Sequence, residues 1–357
     1  MVIQCITCGQ AYPAEGVPYC CAACGGLFDY STWEAAAAEC DPAQPGIWRY
    51  RSRFGLPPSA PALSLGEGNT PLLWTEAGGQ EVALKCEYLN PSGSYKDRGA
   101  ATLLSFLLSR GVDAAIEDSS GNAGAAFAAY AARAGVQARV FVPASASGAK
   151  RQQIEAYGAE VVRVPGTRQD VAQATLRAAQ AGAAYASHLW MPQVLPGYAT
   201  MAYEIVEQMR RAPATLIAPV GAGGMLLGIA RGFAALQRAG KIERSPRLVG
   251  VQAAACAPFL SASGEVPSAK ETLAEGVRIT KPLRLQALRQ SVQASGGFFV
   301  SVEEAAILPG RHELARRGFY VEPTSAIVWD AVRQVVERVP QPVLLILTGR
   351  GLKWLAP

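Results

Sequence analysis

The sequence predicts an α/β protein of two doubly wound, mostly parallel sheet domains, preceded by a small cysteine-rich module. Three observations predict it. Between Ala100 and Gln252, short apolar runs alternate with helical stretches at the spacing of parallel strands covered by helices on both faces. Glycine-bearing turns, Ser119-Ser120-Gly121-Asn122 and Gly221-Ala222-Gly223-Gly224, stand where strand gives way to helix. Two Cys-x-x-Cys-Gly turns open the chain.

A chain of 357 residues, half of them apolar, is long enough for two domains with separate cores. No apolar run approaches the ~20 residues of a membrane helix. Met1 to Gln10 shows no basic-then-apolar signal, so a soluble cytoplasmic protein is expected. The net charge of +5 is spread without a lysine or arginine block, which gives no reason to expect nucleic acid or membrane as a partner. With only His188 and His312 present, the composition argues against a polyhistidine metal centre or a histidine-based triad.

Residues 1–30 carry Cys5-Ile6-Thr7-Cys8-Gly9 and Cys21-Ala22-Ala23-Cys24-Gly25. A thiolate pair at this spacing clamps one edge of a tetrahedral zinc, and the following glycine relieves the turn. Cys5, Cys8, Cys21 and Cys24 thus predict a structural zinc ribbon, with Cys20 competing with Cys21 for the third position. A disulfide pair or unliganded cysteines are the alternatives, and the missing export signal argues against disulfides. Cys40, Cys86 and Cys256 stand singly and read as small buried apolar residues. Residues 31–60 read as a linker with a short helix at 35–38, broken by Asp41-Pro42, Pro45-Gly46 and Pro57-Pro58.

From Leu65 to Pro71 the chain enters as an extended lead-in, and Glu81 to Glu87 reads as a strand. Asn90, Pro91 and Gly93 make a turn, after which apolar periodicity predicts a helix over 100–109. Strands follow at 114–117, 138–142, 160–164, 184–187, 216–219 and 247–252. They alternate with helices at 123–134, 148–157, 170–181, 201–209 and 225–239. In such sheets ligands bind beyond the carboxyl ends of the strands, so the glycine-bearing loops are expected at one ligand cleft.

Lys96, in Asn90-Pro91-Ser92-Gly93-Ser94-Tyr95-Lys96-Asp97-Arg98-Gly99, falls at the start of a helix. There the dipole and free N–H groups favour anions and ease loss of the lysine proton. Schiff-base chemistry needs such an amine. A solvated lysine beside Asp97 and Arg98 is the plain alternative. Gly221 to Met225 follows an apolar strand and opens a helix, which suits a phosphate. A dinucleotide site expects an acidic residue at the end of the next strand. That strand ends Val249-Gly250-Val251-Gln252, so the phosphate of a small cofactor fits better. The Ser119 loop serves equally as a simple serine helix cap.

Taken together, these stretches resemble the fold type II pyridoxal-phosphate enzymes, and most closely their threonine synthase-like branch. Leu65-Gly66-Glu67-Gly68-Asn69-Thr70-Pro71-Leu72, Val321-Glu322-Pro323-Thr324-Ser325-Ala326 and Thr348-Gly349-Arg350-Gly351-Leu352-Lys353 are similar to that branch's signatures, and the resemblance covers nearly the whole chain. It implies that Gly221, Ala222, Gly223, Gly224 and Met225 cradle the 5′-phosphate of pyridoxal phosphate. Lys96 would carry the cofactor as a Schiff base and then act as general base. Asn122 would bond the phenolic oxygen and Thr348 the pyridine nitrogen, while Glu275 would lie near the ring. Ser119, Ser120, Gly121, Asn122 and Ala123 would hold the substrate α-carboxylate. A hydroxyl on the pyridine nitrogen fixes no full positive charge, a bias that fits elimination and replacement better than transamination. The resemblance also implies a homodimer, a ribbon at 1–30, a large domain from 61–99 and 201–357, and a small domain at 100–200.

The implied reaction is that of threonine synthase, O-phosphohomoserine and water giving threonine and phosphate. The family's Asn-Pro-x-Arg-x-x-Gly segment reads Met191-Pro192-Gln193-Val194-Leu195-Pro196-Gly197 here, and Asn-Thr-Ser reads Asn122-Ala123-Gly124. A buried dianion without a guanidinium partner is costly. Either Lys150, Arg151 or another cation compensates, or the substrate carries no phosphate. A β-eliminating or β-replacing enzyme on a serine-, threonine- or diamino-acid-like substrate is the alternative, including a relative of cysteate synthase. A non-catalytic binding protein would not require the Schiff-base lysine.

Overall fold

The structure, a computed structural model of the chain, describes residues 1–33, 40–146, 148–266 and 270–354. The short helix expected at 35–38 lies outside the described residues. In chain order the strands are β1 Val2–Cys5, β2 Phe28–Thr32, β3 Leu72–Ala77, β4 Gln80–Lys85, β5 Ala114–Glu117, β6 Gln137–Pro143, β7 Glu160–Val164, β8 Ala184–Tyr185, β9 Thr215–Pro219, β10 Arg247–Ala253, β11 Phe298–Val302 and β12 Val343–Ile346. The α-helices are α1 Lys96–Ser109, α2 Asn122–Ala134, α3 Ala149–Ala156, α4 Arg168–Gln180, α5 Val194–Met209, α6 Gly224–Arg238, α7 Leu285–Ala294, α8 Glu304–Arg316 and α9 Pro323–Val335.

Two compact units divide the chain, Met1–Glu67 with Lys96–Gly197, and Gly68–Tyr95 with Tyr198–Trp354. Among the described residues of the first, β7-β6-β5-β8 form a parallel sheet, and β1-β2 pair antiparallel in the ribbon. Residues 61–67 and 96–99 belong to this unit, although the sequence reading assigns them to the larger domain. Hydrogen bonding explains it: Leu63 N–H donates to Ser105 Oγ at 3.3 Å, and Ile47 N–H to the Glu67 carbonyl at 3.1 Å. The stretch read as a linker is partly core, because a 3-10 helix spans Gly46–Arg53, and Ile47, Trp48, Tyr50 and the following Phe54 are completely buried.

In the second unit the sheet order is β11-β10-β9-β12-β4-β3, parallel except for the edge strand β3. Its interior strands are mostly apolar, as strands buried on both faces tend to be, with Lys85, Thr215 and Gln252 as buried polar exceptions. Val343 to Ile346 and Leu216 to Ala218 are fully buried. Helix α9 contributes Ile327, Val328, Trp329 and Val332 to the core, each such burial stabilising by roughly 1.5–3 kcal/mol. The ion pair of Lys85 and Glu204, 2.8 Å apart and fully buried, ties β4 to α5. Its remaining valences are used: Lys85 Nζ donates to the Thr70 carbonyl and Gln208 Oε1, and Glu204 Oε1 accepts from Asn69 N–H.

Most elements coincide with the sequence reading within one or two residues. The start of α5 differs most, since the helix begins at Val194 rather than 201 and runs through Pro196. Proline is tolerated in a first turn, where its missing N–H would be unbonded anyway.

Candidate active site

In the second unit, β9, β12 and β4 lie side by side and point the same way, with Leu345 opposite both Ile217 and Leu84. Their carboxyl ends therefore deliver three loops to one end of one sheet: Gly221–Met225, Thr348–Gly351 and Asn90–Tyr95. The glycine loop needs its glycines. Gly223 has φ 87° and caps α6, and a Cβ on Gly221 would stand 2.6 Å from the Gly276 carbonyl. The first turn of α6 carries no acidic residue, so its free N–H groups face no competing anion from their own helix. Glu275, beside Gly276, is exposed.

The Asn90 loop is fixed by a buried network. Glu87 accepts from Thr70 Oγ1 at 2.7 Å and Asn90 Nδ2 at 2.9 Å, and Asn90 Oδ1 accepts from Gly68 N–H at 3.0 Å. Ser94 then bridges Gly349, and Tyr95 N–H donates to the Thr348 carbonyl at 3.1 Å. Thr348 N–H donates to Ser325 Oγ, which joins the Val321–Ala326 stretch to the same loop. Ser94 Oγ and Thr348 Oγ1 are buried with no hydrogen-bond partner among the described residues.

Lys96, the residue after Tyr95, is the first of α1 in the first unit and is half-buried. Burial lowers its pKa to about 8. The Glu117 charge opposes that shift and Arg168 reinforces it. In the same unit β5 ends at Glu117 and runs through Asp118 into Ser119, Ser120 and Gly121, with Asn122 and Ala123 starting α2. No side chain caps this helix, and its first turn holds no acidic residue. A Cβ on Gly124 would come within 1.8 Å of the Ser119 carbonyl, so the entry to α2 requires glycine there.

Glu117 and His188 were not singled out as site residues by sequence reasoning. The Glu117 carboxylate lies 2.5 Å from His188 Nδ1, and burial pushes its pKa up to about 8 against the pull of Arg168 and Lys96. Burial, and then the Lys96 charge, hold His188 well below its ordinary value. The one available signal was two adjacent acids, Glu117-Asp118, at the end of an otherwise apolar strand. Val194 is a buried, apolar side chain with no charge to offer an anion.

In the ribbon the thiols of Cys5, Cys8, Cys21 and Cys24 all lie within 4.8 Å of one another, with Cys5 and Cys24 Sγ at 3.5 Å and Cys8 and Cys21 Sγ at 3.6 Å. Gly9 and Gly25 have φ 78° and 67°, the left-handed turns the motif needs. Thr7 N–H donates to Cys5 Sγ, and Cys20 stands outside the cluster. Four thiols at this separation fit a tetrahedral zinc with no coordination position left over.

Fold and loops define a fold type II pyridoxal-phosphate enzyme, and the comparisons agree. A family model described as pyridoxal-phosphate dependent enzyme matches residues 63–349, and the chain belongs to that family. A threonine synthase of Methanocaldococcus jannaschii is 31% identical, over 99% of this chain and 93% of its own length. One from Synechocystis is 34% identical, over 89% of this chain and 87% of its own. Among solved structures, a T.th. threonine deaminase has a TM-score of 0.70 at 30% identity, covering 81% of this chain and 94% of that one. Maize serine racemase, at 22% identity and TM-score 0.69, covers 79% of this chain and 88% of its own, and shares the fold. The residues present fit the cofactor: a glycine-lined helix N-terminus suits its phosphate, the unbonded Thr348 hydroxyl its ring nitrogen, and an easily deprotonated lysine its aldehyde.

Proposed function

We propose that this chain is a pyridoxal-phosphate-dependent carbon–oxygen lyase of amino acids, with threonine synthase as its activity. The observation that carries the reading is the extent of the likeness, since the Methanocaldococcus threonine synthase matches essentially the whole chain, ribbon included. When bound, the cofactor supplies an electron sink for the C–H bond that breaks next to the substrate amino group. Lys96 would hold it covalently, Gly221–Met225 its phosphate, Asn122 its phenolic oxygen and Thr348 its ring nitrogen. Ser119, Ser120, Gly121, Asn122 and Ala123 would bind the substrate carboxylate at the N-terminus of α2, which fixes Cα in place. The Lys96 amine, freed once substrate takes its position, accepts the Cα proton. A pKa near 8 suits a base that works near neutral pH.

Cys5, Cys8, Cys21 and Cys24 would bind a structural zinc. The sequence resemblance further supports a cytoplasmic homodimer, and among the described residues no helix is long and apolar enough to cross a membrane. Buried Val194, in place of the family's arginine, favours a second reading: β-elimination or β-replacement on an unphosphorylated amino acid.

The test is to incubate purified holoenzyme with O-phosphohomoserine and follow phosphate and threonine. Equimolar release is expected and should vanish in Lys96→Ala together with the visible band of the bound cofactor. No release, with 2-oxoacid formed from serine or threonine, would replace the first reading by the second. Turnover persisting in Lys96→Ala would overturn both.

A further inference from the structure

The sheet of the first unit is parallel, so the loops that follow β5 and β7 leave it at the same end. Asp118 and then Ser119 to Ala123 follow β5, while Pro165, Gly166 and Thr167 follow β7 and lead to Arg168, the first residue of α4. The start of α4 is closely fixed. Thr167 Oγ1 accepts from Asp170 N–H at 3.3 Å, and Asp170 Oδ2 accepts from Thr167 N–H at 2.6 Å. Gly166 has φ 102°, and a Cβ there would run into the Asp170 carboxylate. Val171, in the first turn of α4, shares an apolar cluster with Ile116 of β5 and Tyr185 of β8, which holds the helix on the sheet. Arg168 is thereby carried to Asp118, with Nη2 3.7 Å from Oδ2. Its side chain is 47% exposed against 4% for Asp118, so one flank of the guanidinium meets a buried acid and the other is open. At 3.7 Å the pair is not hydrogen-bonded, and the guanidinium keeps its N–H donors for another acceptor. Asp118 directly precedes Ser119, so this cation stands beside the loop assigned above to the substrate carboxylate.

We infer that Arg168 selects the substrate by its side-chain end: the guanidinium receives a distal anionic group, the phosphate of O-phosphohomoserine, and supplies the positive charge that Val194 does not. The inference rests on the threonine synthase reading. A phosphate dianion brought out of water needs a charged hydrogen-bond donor, and the planar fork of an arginine offers two parallel N–H groups to its oxygens. A single guanidinium can serve an acid on one edge and a phosphate on the other. Asp118 then orients the fork while Arg168 turns its open flank to the ligand. With the substrate carboxylate held at the start of α2, a side chain extending from Cα toward the end of β7 brings its terminal group to that flank. The other candidates on the first unit are placed less well. Arg151 is engaged with Glu155 one turn along its own helix, at 2.9 Å, and Arg139 with Glu160 at 3.1 Å near the amino end of β7. Burial pushes the nearby Glu117 carboxyl up to about 8, so near neutral pH it keeps most of its proton and adds little charge to oppose an anion.

The experiment is steady-state kinetics of the holoenzyme on O-phosphohomoserine, beside titration of its cofactor absorption band with homoserine, which has the same skeleton without the phosphate. In Arg168→Gln the KM for O-phosphohomoserine should rise about 10–100-fold, the loss expected for a charged hydrogen bond, with kcat changed much less. The homoserine concentration that half-shifts the band should stay at its wild-type value. Inhibition by inorganic phosphate should weaken along with substrate binding. Arg168→Lys, which keeps the charge and loses the fork, should fall between wild type and Arg168→Gln. Because Arg168 is half-exposed and α4 is capped by Thr167 and Asp170, both variants should fold. An unchanged KM in cofactor-loaded Arg168→Gln would overturn the inference alone. So would equal weakening of homoserine and O-phosphohomoserine, since a merely structural role affects both. Wild type that releases no phosphate from O-phosphohomoserine would overturn the proposed activity, and this inference with it.

Discussion

Leaving a buried hydroxyl unbonded costs roughly 1–3 kcal/mol, and Thr348 Oγ1 is in that position among the described residues. Thr348→Val should leave the apoprotein as stable as wild type or more stable by up to about 1 kcal/mol, while weakening cofactor affinity about fivefold. Chemical unfolding beside a cofactor titration checks this, and a destabilised apoprotein of unchanged affinity would remove Thr348 from the site. Glu117 gives a pH signature. Its folded pKa is raised from 4.5 to about 8, so between those values the folded chain keeps a proton the unfolded chain has released. Stability from this group therefore falls as pH rises across that window, by at most about 1.4 kcal/mol per pH unit. Lys96, lowered from 10.5 to about 8, acts in the opposite sense at higher pH. The cost of burying its ammonium is present below about 8 and is relieved as pH climbs toward 10.5. Apoprotein Glu117→Gln should gain stability relative to wild type as pH is raised from 5 to 8, whereas parallel curves would contradict the raised pKa. Lys96, Asn122 and Thr348 were legible as candidates because each lies in a loop with its own glycine and strand-end signature. The Glu117–His188 pair was not, since strand register alone joins two residues so distant in sequence.

At the level of elements, the Lys85–Glu204 pair joins a strand to a helix, so its loss should be felt by both. Lys85→Met leaves a carboxylate buried without its cation and should cost about 3–5 kcal/mol in denaturant unfolding. Lys85→Met with Glu204→Leu should cost much less, because the charge is removed along with its partner. Equal losses in the single and double variants would show that packing, not charge, dominates there. Strand and helix alternation was readable from periodicity because every apolar run in the interior strands is buried on both faces. Helix starts were less readable. Pro196 made the first turns of α5 look like loop, and the prolines around residues 42–58 hid a buried 3-10 helix in an apparent linker. Proline marks where a backbone N–H is absent, which is compatible with a loop, a first helical turn or a 3-10 segment.

In the whole molecule, the ribbon is more than an appendage to its neighbours in the first unit. Tyr12 packs edge-on against Phe106 of α1, and Tyr19 packs against Tyr185 and Trp190, joining the core under β5, β6 and β8. Reduced, purified protein should contain about one zinc per chain. Cys24→Ser should lower both that content and the unfolding midpoint, with kcat of the surviving holoenzyme largely unchanged; metal analysis and calorimetry check it, and a zinc-free wild type of full stability would contradict it. The ring of Tyr19 carries a wider consequence. A ribbon that fails to close would bare the apolar surface around Tyr185 and Trp190, the kind of patch that draws proteases and aggregation. Zinc scarcity in a cell would then appear as fewer surviving copies of the enzyme, each working at its usual pace.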